Sequence, residues 1–202
     1  MESVGLIKEL VVSDGGSEDG TQKAVVDAGA VLVEGLPGRG RQLRAGADAA
    51  RGNWFLFIHA DTVLAPGWSD GVRVFIERPN AAERAGYFEF ALDDPSSSAR
   101  RLERLVRWRN RMFGLPYGDQ GLLISKRLYG RIGGYRDFSL MEDVDIVRRL
   151  GRESLRAIDF RATTSAVRFQ QDGYWVRPMR NLACLALFYI GVPLDAIKRV
   201  YG

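Results

Sequence analysis

Trp54-Phe55-Leu56-Phe57-Ile58-His59-Ala60-Asp61-Thr62 is the segment on which the fold turns. Five largely apolar residues run without alternation into a short polar tip, and Leu64-Ala65-Pro66-Gly67 then reverses the chain. An unbroken apolar run of this length, rich in aromatics, reads as a strand buried on both faces of a mostly parallel sheet. Ligands in open α/β sheets bind beyond the carboxyl ends of such strands, which is where Asp61 falls. A carboxylate there suits a divalent cation, Mg2+ or Mn2+, held against a diphosphate, because Mg2+ takes few protein oxygens and keeps phosphate oxygens as its other ligands.

Outward from this segment, strand and helix patterns alternate. Leu10–Ser13, Ala30–Val33 and Trp54–Ile58 read as strands, and Gly20–Ala28, Arg41–Ala50 and Gly67–Glu77 as helices. This order implies an α/β fold with a mostly parallel sheet and helices on both faces. After Pro79 the pattern changes. Gly86–Leu92 alternates like a half-exposed strand, and Ser96–Phe113 is a long basic helix with Leu102, Leu105, Val106, Met112 and Phe113 at helical spacing. Gly121–Ser125, Arg156–Asp159 and Ser165–Phe169 read as strands. Lys126–Ile132, Glu142–Leu150, Val176–Ile190 and Leu194–Tyr201 read as helices. Met1 to Lys8 reads as the tail of a helix or a loop, so the sheet is expected to begin one β-α unit late.

With 202 residues and no linker or repeat, the chain is a single domain large enough for a two-sided core. Its one cysteine, Cys184, excludes an internal disulfide and suits a reducing, cytoplasmic compartment. Set among Leu182, Ala183 and Leu185, it reads as a buried, inert thiol. One histidine, His59, excludes a histidine-cluster metal site. The net charge of +4 comes mostly from arginine, whose fork suits phosphate. No apolar run reaches the ~20 residues of a membrane span. The arginines at 100, 101, 104, 107, 109 and 111 suit a solvated helix face, or docking on an anionic membrane surface or acidic partner. No nucleic-acid motif accompanies them. Leu182 to Val192, with Arg177 and Arg180 nearby, suits core packing or peripheral contact with a membrane that carries a lipid-linked acceptor.

Four motifs carry chemistry. Asp14-Gly15-Gly16-Ser17 follows a strand: the glycines let the backbone approach a ligand, and Asp14 at the strand tip suits a base or ribose, while Ser17 or Asp19 suits a helix cap. Gly38-Arg39-Gly40-Arg41 opens a helix, where Arg39 or Arg41 would clamp a diphosphate or face solvent in a turn. His59-Ala60-Asp61 is the third motif. The fourth pairs Gly118-Asp119-Gln120-Gly121 with Glu142-Asp143-Val144-Asp145. Ser139 and Glu142 fit a capping box, which leaves Asp143 or Asp145 for proton removal from a hydroxyl.

Together these motifs resemble family-2 glycosyltransferases of GT-A fold over nearly the whole chain. The resemblance implies a nucleotide-binding half at about 1–95, an acceptor and catalytic half at about 96–170, and C-terminal helices at about 171–202. It implies a nucleotide-diphospho-sugar donor held by Asp14, Gly15, Gly16, Arg39, Arg41, His59 and Ala60. Asp61 would be the metal ligand, as the last aspartate of the Asp-x-Asp motif. Asp143, beside Glu142, would be the acceptor base of an inverting transfer, and Asp119 and Gln120 would line the acceptor side. The variant with Met141-Glu142-Asp143-Val144-Asp145 is most similar to a small bacterial subgroup associated with radical-SAM and selenodomain proteins. His59 departs from the pattern by replacing the first motif aspartate. No later histidine completes a metal shell, and the family's opening strand with its Pro-x-x-Asn-Glu turn is absent from this sequence. A nucleotidyltransferase that makes nucleotide-sugars and a non-catalytic nucleotide-sugar sensor are the rival readings.

Overall fold

The computed structural model describes residues 5–201. Met1 to Val4, half of the segment read as a helix tail or loop, lie outside the described residues, and 5–10 form a turn and irregular chain. The alternation of strand and helix appears first as β1 (Val11–Asp14), α1 (Thr21–Asp27), β2 (Val31–Glu34) and α2 (Arg39–Ala49). Then come β3 (Trp54–Phe57), β4 (Thr62–Leu64) and α3 (Trp68–Ile76). The second half contains β5 (Ala85–Leu92), α4 (Ser97–Phe113), β6 (Leu122–Ser125), α5 (Lys126–Arg131) and α6 (Glu142–Leu150). It closes with β7 (Leu155–Thr164), α7 (Val167–Asp172), α8 (Val176–Tyr189) and α9 (Leu194–Tyr201).

The α/β class stands, but the sheet is mixed rather than mostly parallel. The described strands form a parallel pair, β1-β2, and a five-stranded sheet in the order β3-β6-β5-β7-β4. Within the larger sheet only β5 and β7 run parallel; β3-β6, β5-β6 and β4-β7 are antiparallel. A buried apolar run carries no sign of strand direction, so the sequence pattern could not distinguish the two arrangements. Two-faced burial belongs to β6, where all four residues are buried, and to β5, which has Ala85 and Phe88 at 0% exposure. In β3 only Phe55 is buried, because that strand has a described partner on one side alone.

Two clusters sandwich the five-stranded sheet. Phe55, Ile124, Leu128, Tyr135, Ile146 and Leu150 pack on one face, and Val72, Phe75, Phe88, Leu123 and Ile158 on the other. At ~1.5–3 kcal/mol for each large apolar side chain fully buried, these clusters are the main source of cohesion. The basic helix begins at the Ser96 cap, whose Oγ accepts from the Ala99 amide at 3.2 Å, and ends at left-handed Gly114. It buries Leu102 and Val106 but leaves Leu105, Met112 and Phe113 exposed. Several of its arginines are structural: Arg100 pairs with Glu103, Arg107 with Glu89, and Arg109 lies 3.6 Å over the Tyr117 ring. Cys184 is fully buried in α8, while Leu182 and Ile190 on the same segment face outward. Among the described residues no helix is long and apolar enough to cross a membrane.

Two further expectations change. Arg156–Asp159 is part of one ten-residue strand, β7, whose exposed charged positions mask its continuity in sequence. Ser165–Phe169 is a turn into α7, not a strand. β7 carries two extra residues where β5 passes from Phe88 to Glu89, so the register slips from Phe88↔Ile158 to Glu89↔Arg161. At this irregularity the Phe88 carbonyl accepts from the Gln120 side-chain amide at 2.9 Å.

The smaller sheet is fastened to the rest through α2. The Gly40 amide donates to the Phe138 carbonyl at 2.9 Å, and a Cβ at Gly40 would lie 2.2 Å from the Arg136 carbonyl oxygen. Only glycine fits that contact. Gly40→Ala is therefore expected to destabilise the fold by ~1–3 kcal/mol, as overpacking does, and the change is read from urea or thermal unfolding.

Candidate functional site

A cavity of about 540 Å³ opens at the end of the sheet where the predicted motifs meet. Its walls include Arg39 from α2, His59, Ala60 and Asp61 from the link between β3 and β4, and Asp119 and Asp143 from the second half. Asp61 lies four residues beyond β3 and not at its tip, because the strand stops at Phe57. The short strand β4, which the sequence reading took as polar tip and turn, pairs Thr62 with Thr164. Thr164 Oγ1 also donates to the Asp61 carbonyl at 3.4 Å. These contacts anchor Asp61 at the mouth, where it is exposed.

Asp143 is held by a small device. Gly118 donates its amide to Asp143 Oδ2 at 2.9 Å, and the Val144 amide donates to Oδ1 at 2.7 Å. A Cβ on Gly118 would come within 2.6 Å of His59 Nε2, so the imidazole rests on the bare glycine beside Asp143. Burial lowers the His59 pKa against the opposing pull of the Asp143 charge. The ring therefore stands neutral against the second half of the molecule.

The capping box expected at Ser139 and Glu142 does not form. Met141 is the residue before α6, with no side-chain cap and a left-handed backbone (φ 64). A non-glycine residue held there costs ~1 kcal/mol or more and is common where a site fixes the chain. That turn buries Glu142 to 1% exposure with Oε2 unpartnered, and it sets the next residue, Asp143, on the cavity wall.

The expected donor loop sits differently. Asp14 accepts from the Ser17 amide, the Ser17 hydroxyl and Gln22 Nε2, and these bonds pull its pKa down to about 2. Ser17 thus closes the loop onto Asp14 and does not cap α1, whose preceding residue is Gly20. Asp14, Gly15 and Gly16 lie off the cavity wall, which at that end is made by Ser13, Gln42 and Leu43. Arg41 is not at the cavity. It forms a two-pronged pair with Asp137, with Nη2 at 2.7 Å. Helical phase explains the error: at 100° per residue, positions 39, 42 and 43 share a face and 41 points away. Gln120 is a buried tie and not a wall residue, accepting from Asn110 Nδ2 (2.9 Å) and the Tyr117 amide (3.3 Å). Asp145, the other candidate base, is buried between Arg136 and Arg149.

The sequence reading also missed Arg168, Asn181 and Tyr201, which line the cavity from α7, α8 and α9. No motif marks them; the C-terminal helices bring them in. Arg39 lies within electrostatic reach of Glu142, Tyr201 and Asp143.

The sequence model of glycosyl transferase family 2 matches residues 4–136. The chain belongs to that family. No curated protein matches it in sequence. Among solved structures, glucosyl-3-phosphoglycerate synthase from Mycobacterium tuberculosis, in complex with Mn2+, UDP and glucosyl-3-phosphoglycerate, is 18% identical. Its TM-score is 0.60, over 93% of this chain and 71% of that one. Mannosyl-3-phosphoglycerate synthase from Rubrobacter xylanophilus is 19% identical with a TM-score of 0.57, over 92% of this chain and 65% of that one. A mannosyltransferase from Pyrobaculum calidifontis, in complex with GDP-Man and Mn2+, is 19% identical with a TM-score of 0.60, over 87% and 51%. The chain thus spans between half and seven-tenths of the length of these proteins. At such identity the likeness establishes a shared GT-A fold.

Members of this fold imply a divalent cation, and the donor set here is thin. Asp61 offers one free carboxylate, His59 is seated against Gly118, and no group of three metal-ligating side chains occurs among the described residues. One carboxylate fits a cation held mainly by a diphosphate.

Burial lifts the Asp119 carboxyl to about 6, with Asp143 and Asp61 adding repulsion. Burial, then Asp143, lifts Glu142 to about 7. The folded state therefore binds more protons than the unfolded chain. The stability these groups contribute is full below the ordinary carboxylate value near ~4, and it is lost as pH rises through about 6 and about 7. Asp119→Asn and Glu142→Gln are expected to raise Tm at pH 8 by ~2–4 °C each, an effect on the order of 1 kcal/mol, with little gain at pH 4. Scanning calorimetry at the two pH values reads the difference.

Proposed function

We propose that the chain transfers a sugar from a nucleotide-diphospho-sugar to an acceptor hydroxyl with inversion at the anomeric carbon. What supports this reading is one cavity lined by Asp61, Arg39 and Asp143, in a chain of family 2. The nucleoside would rest toward Ser13, Gln42 and Leu43, with Asp14 keeping its loop closed beside them. The diphosphate would lie toward Asp61 and the cationic side chains. Asp143 would take the proton of the acceptor hydroxyl as its oxygen bonds to the anomeric carbon, while the bond from that carbon to the diphosphate breaks on the opposite side. The bonds from the Gly118 and Val144 amides fix the carboxylate for that approach. When bound, Mg2+ or Mn2+ would supply Lewis-acid stabilisation of the leaving diphosphate, with Asp61 as its one carboxylate ligand. Buried, unpartnered acceptors at Asp119 Oδ1 and Asn181 Oδ1 suit a hydroxyl-rich ligand, because its O–H groups supply the absent donors.

Asp143→Asn preserves shape and removes the base. It is expected to lower kcat by ~10²–10⁴-fold while leaving the Kd for the nucleoside diphosphate nearly unchanged. A panel of nucleotide-sugars assayed for released UDP or GDP, with calorimetry for binding, separates the two effects. Unchanged turnover would remove Asp143 from this role.

A further inference from the structure

The cavity wall carries three carboxylates that face one another electrostatically: Asp61, Asp119 and Asp143. A diphosphate brought among them meets repulsion that a cation with one carboxylate ligand offsets only in part. Compensation has to come from fixed positive charge. The three arginines that line the cavity, Arg39, Arg168 and Arg177, divide by what they already bind. Arg177 and Arg180 both close on Asp172, Arg177 from 2.7 Å, and their charge is shared with that carboxylate. Arg39 is half-buried and lies under the influence of Glu142 and Asp143. Arg168 lines the cavity, and among the described residues no hydrogen bond or ion pair engages its guanidinium.

The placement of Arg168 follows from the sheet. The antiparallel β4-β7 pair sets Thr62 against Thr164, so the chain leaving β7 passes Asp61, and Arg168 follows within the first turn of α7. His59, Asp61 and Arg168 all line this one cavity. A guanidinium offers a planar fork of donors that matches phosphate oxygens, and it stays charged at any working pH. Arg168 is exposed at the cavity and pairs with no neighbouring acid among the described residues.

We propose that Arg168, assisted by Arg39, is the main counter-charge for the donor's diphosphate, so that nucleotide binding depends little on a divalent cation. The inference rests on the proposed donor class and adds how that donor's charge is met. During transfer the same guanidinium faces the charge that accumulates on the diphosphate as its bond to the sugar breaks, where a fixed donor is most effective.

The test is calorimetric titration of the purified chain with UDP and with GDP, in EDTA and in Mn2+. The proteins are the natural sequence, Arg168→Ala, Arg168→Lys and, as a control for lost charge outside the cavity, Arg101→Ala. Arg168 is exposed and unpaired, so its replacement leaves the fold intact, which the unfolding temperature verifies. For whichever nucleotide binds, the expected Kd in EDTA lies within about threefold of that in Mn2+. Arg168→Ala weakens binding ~10–100-fold in both buffers, Arg168→Lys recovers part of the loss, and Arg101→Ala changes nothing. Binding that requires Mn2+ and ignores Arg168→Ala overturns this inference and leaves the proposed transfer standing. Failure of both nucleotides to bind in either buffer overturns the donor class itself.

Discussion

The buried amide of Gln120 meets three separate parts of the molecule. It donates to the Phe88 carbonyl where the register of β5 and β7 slips, and it accepts from Asn110 in α4 and from the Tyr117 amide. A neutral side chain with both ends satisfied in a dry interior fixes geometry more firmly than apolar packing, because any displacement leaves a polar group unpaired. What it fixes is the tight turn at 118–120. From that turn Asp119 reaches the cavity, the Gly118 amide reaches Asp143, and the bare face of Gly118 receives the His59 ring. Removal of the glutamine would release the floor of the site before it loosened the hydrophobic clusters.

The site is held against its own electrostatics. Asp119 and Glu142 are kept partly protonated by burial next to Asp143, and Met141 is kept in a backbone region that disfavours its side chain. Each feature costs stability, and the sheet with its two apolar faces offsets the cost. Such a concentration of unfavourable terms around one cavity is typical of functional sites.

Much of this was legible in the sequence where the signal is local. The α6 boundaries, the long basic helix with Ser96 at its start, and His59, Asp61, Asp119 and Asp143 as neighbours in space all agree with the motif reading. Direction and partnership were not legible. The apolar run at 54–58 reads the same whether it is central or at an edge, and only the fold reveals β6 as the strand buried on both faces. Arg39 and Arg41 look equivalent along the chain, yet one turns to the cavity and the other to Asp137. Arg168, Asn181 and Tyr201 carry no motif, since their place in the wall depends on how three C-terminal helices fold back.

The separation of β1-β2 from the five-stranded sheet has a thermodynamic consequence. Among the described residues no ladder of backbone hydrogen bonds joins the two, and α2 is fastened across the join by the close contact at Gly40 and the pair of Arg41 with Asp137. The smaller sheet with α1 is thus a unit held to the rest through α2, whose Ala47 packs into the main core, and it can open at a lower free energy than the core around β5. The end of the cavity lined by Ser13, Gln42 and Leu43 is built on that unit. A ligand bound there would tighten that unit, so occupancy and local order rise together.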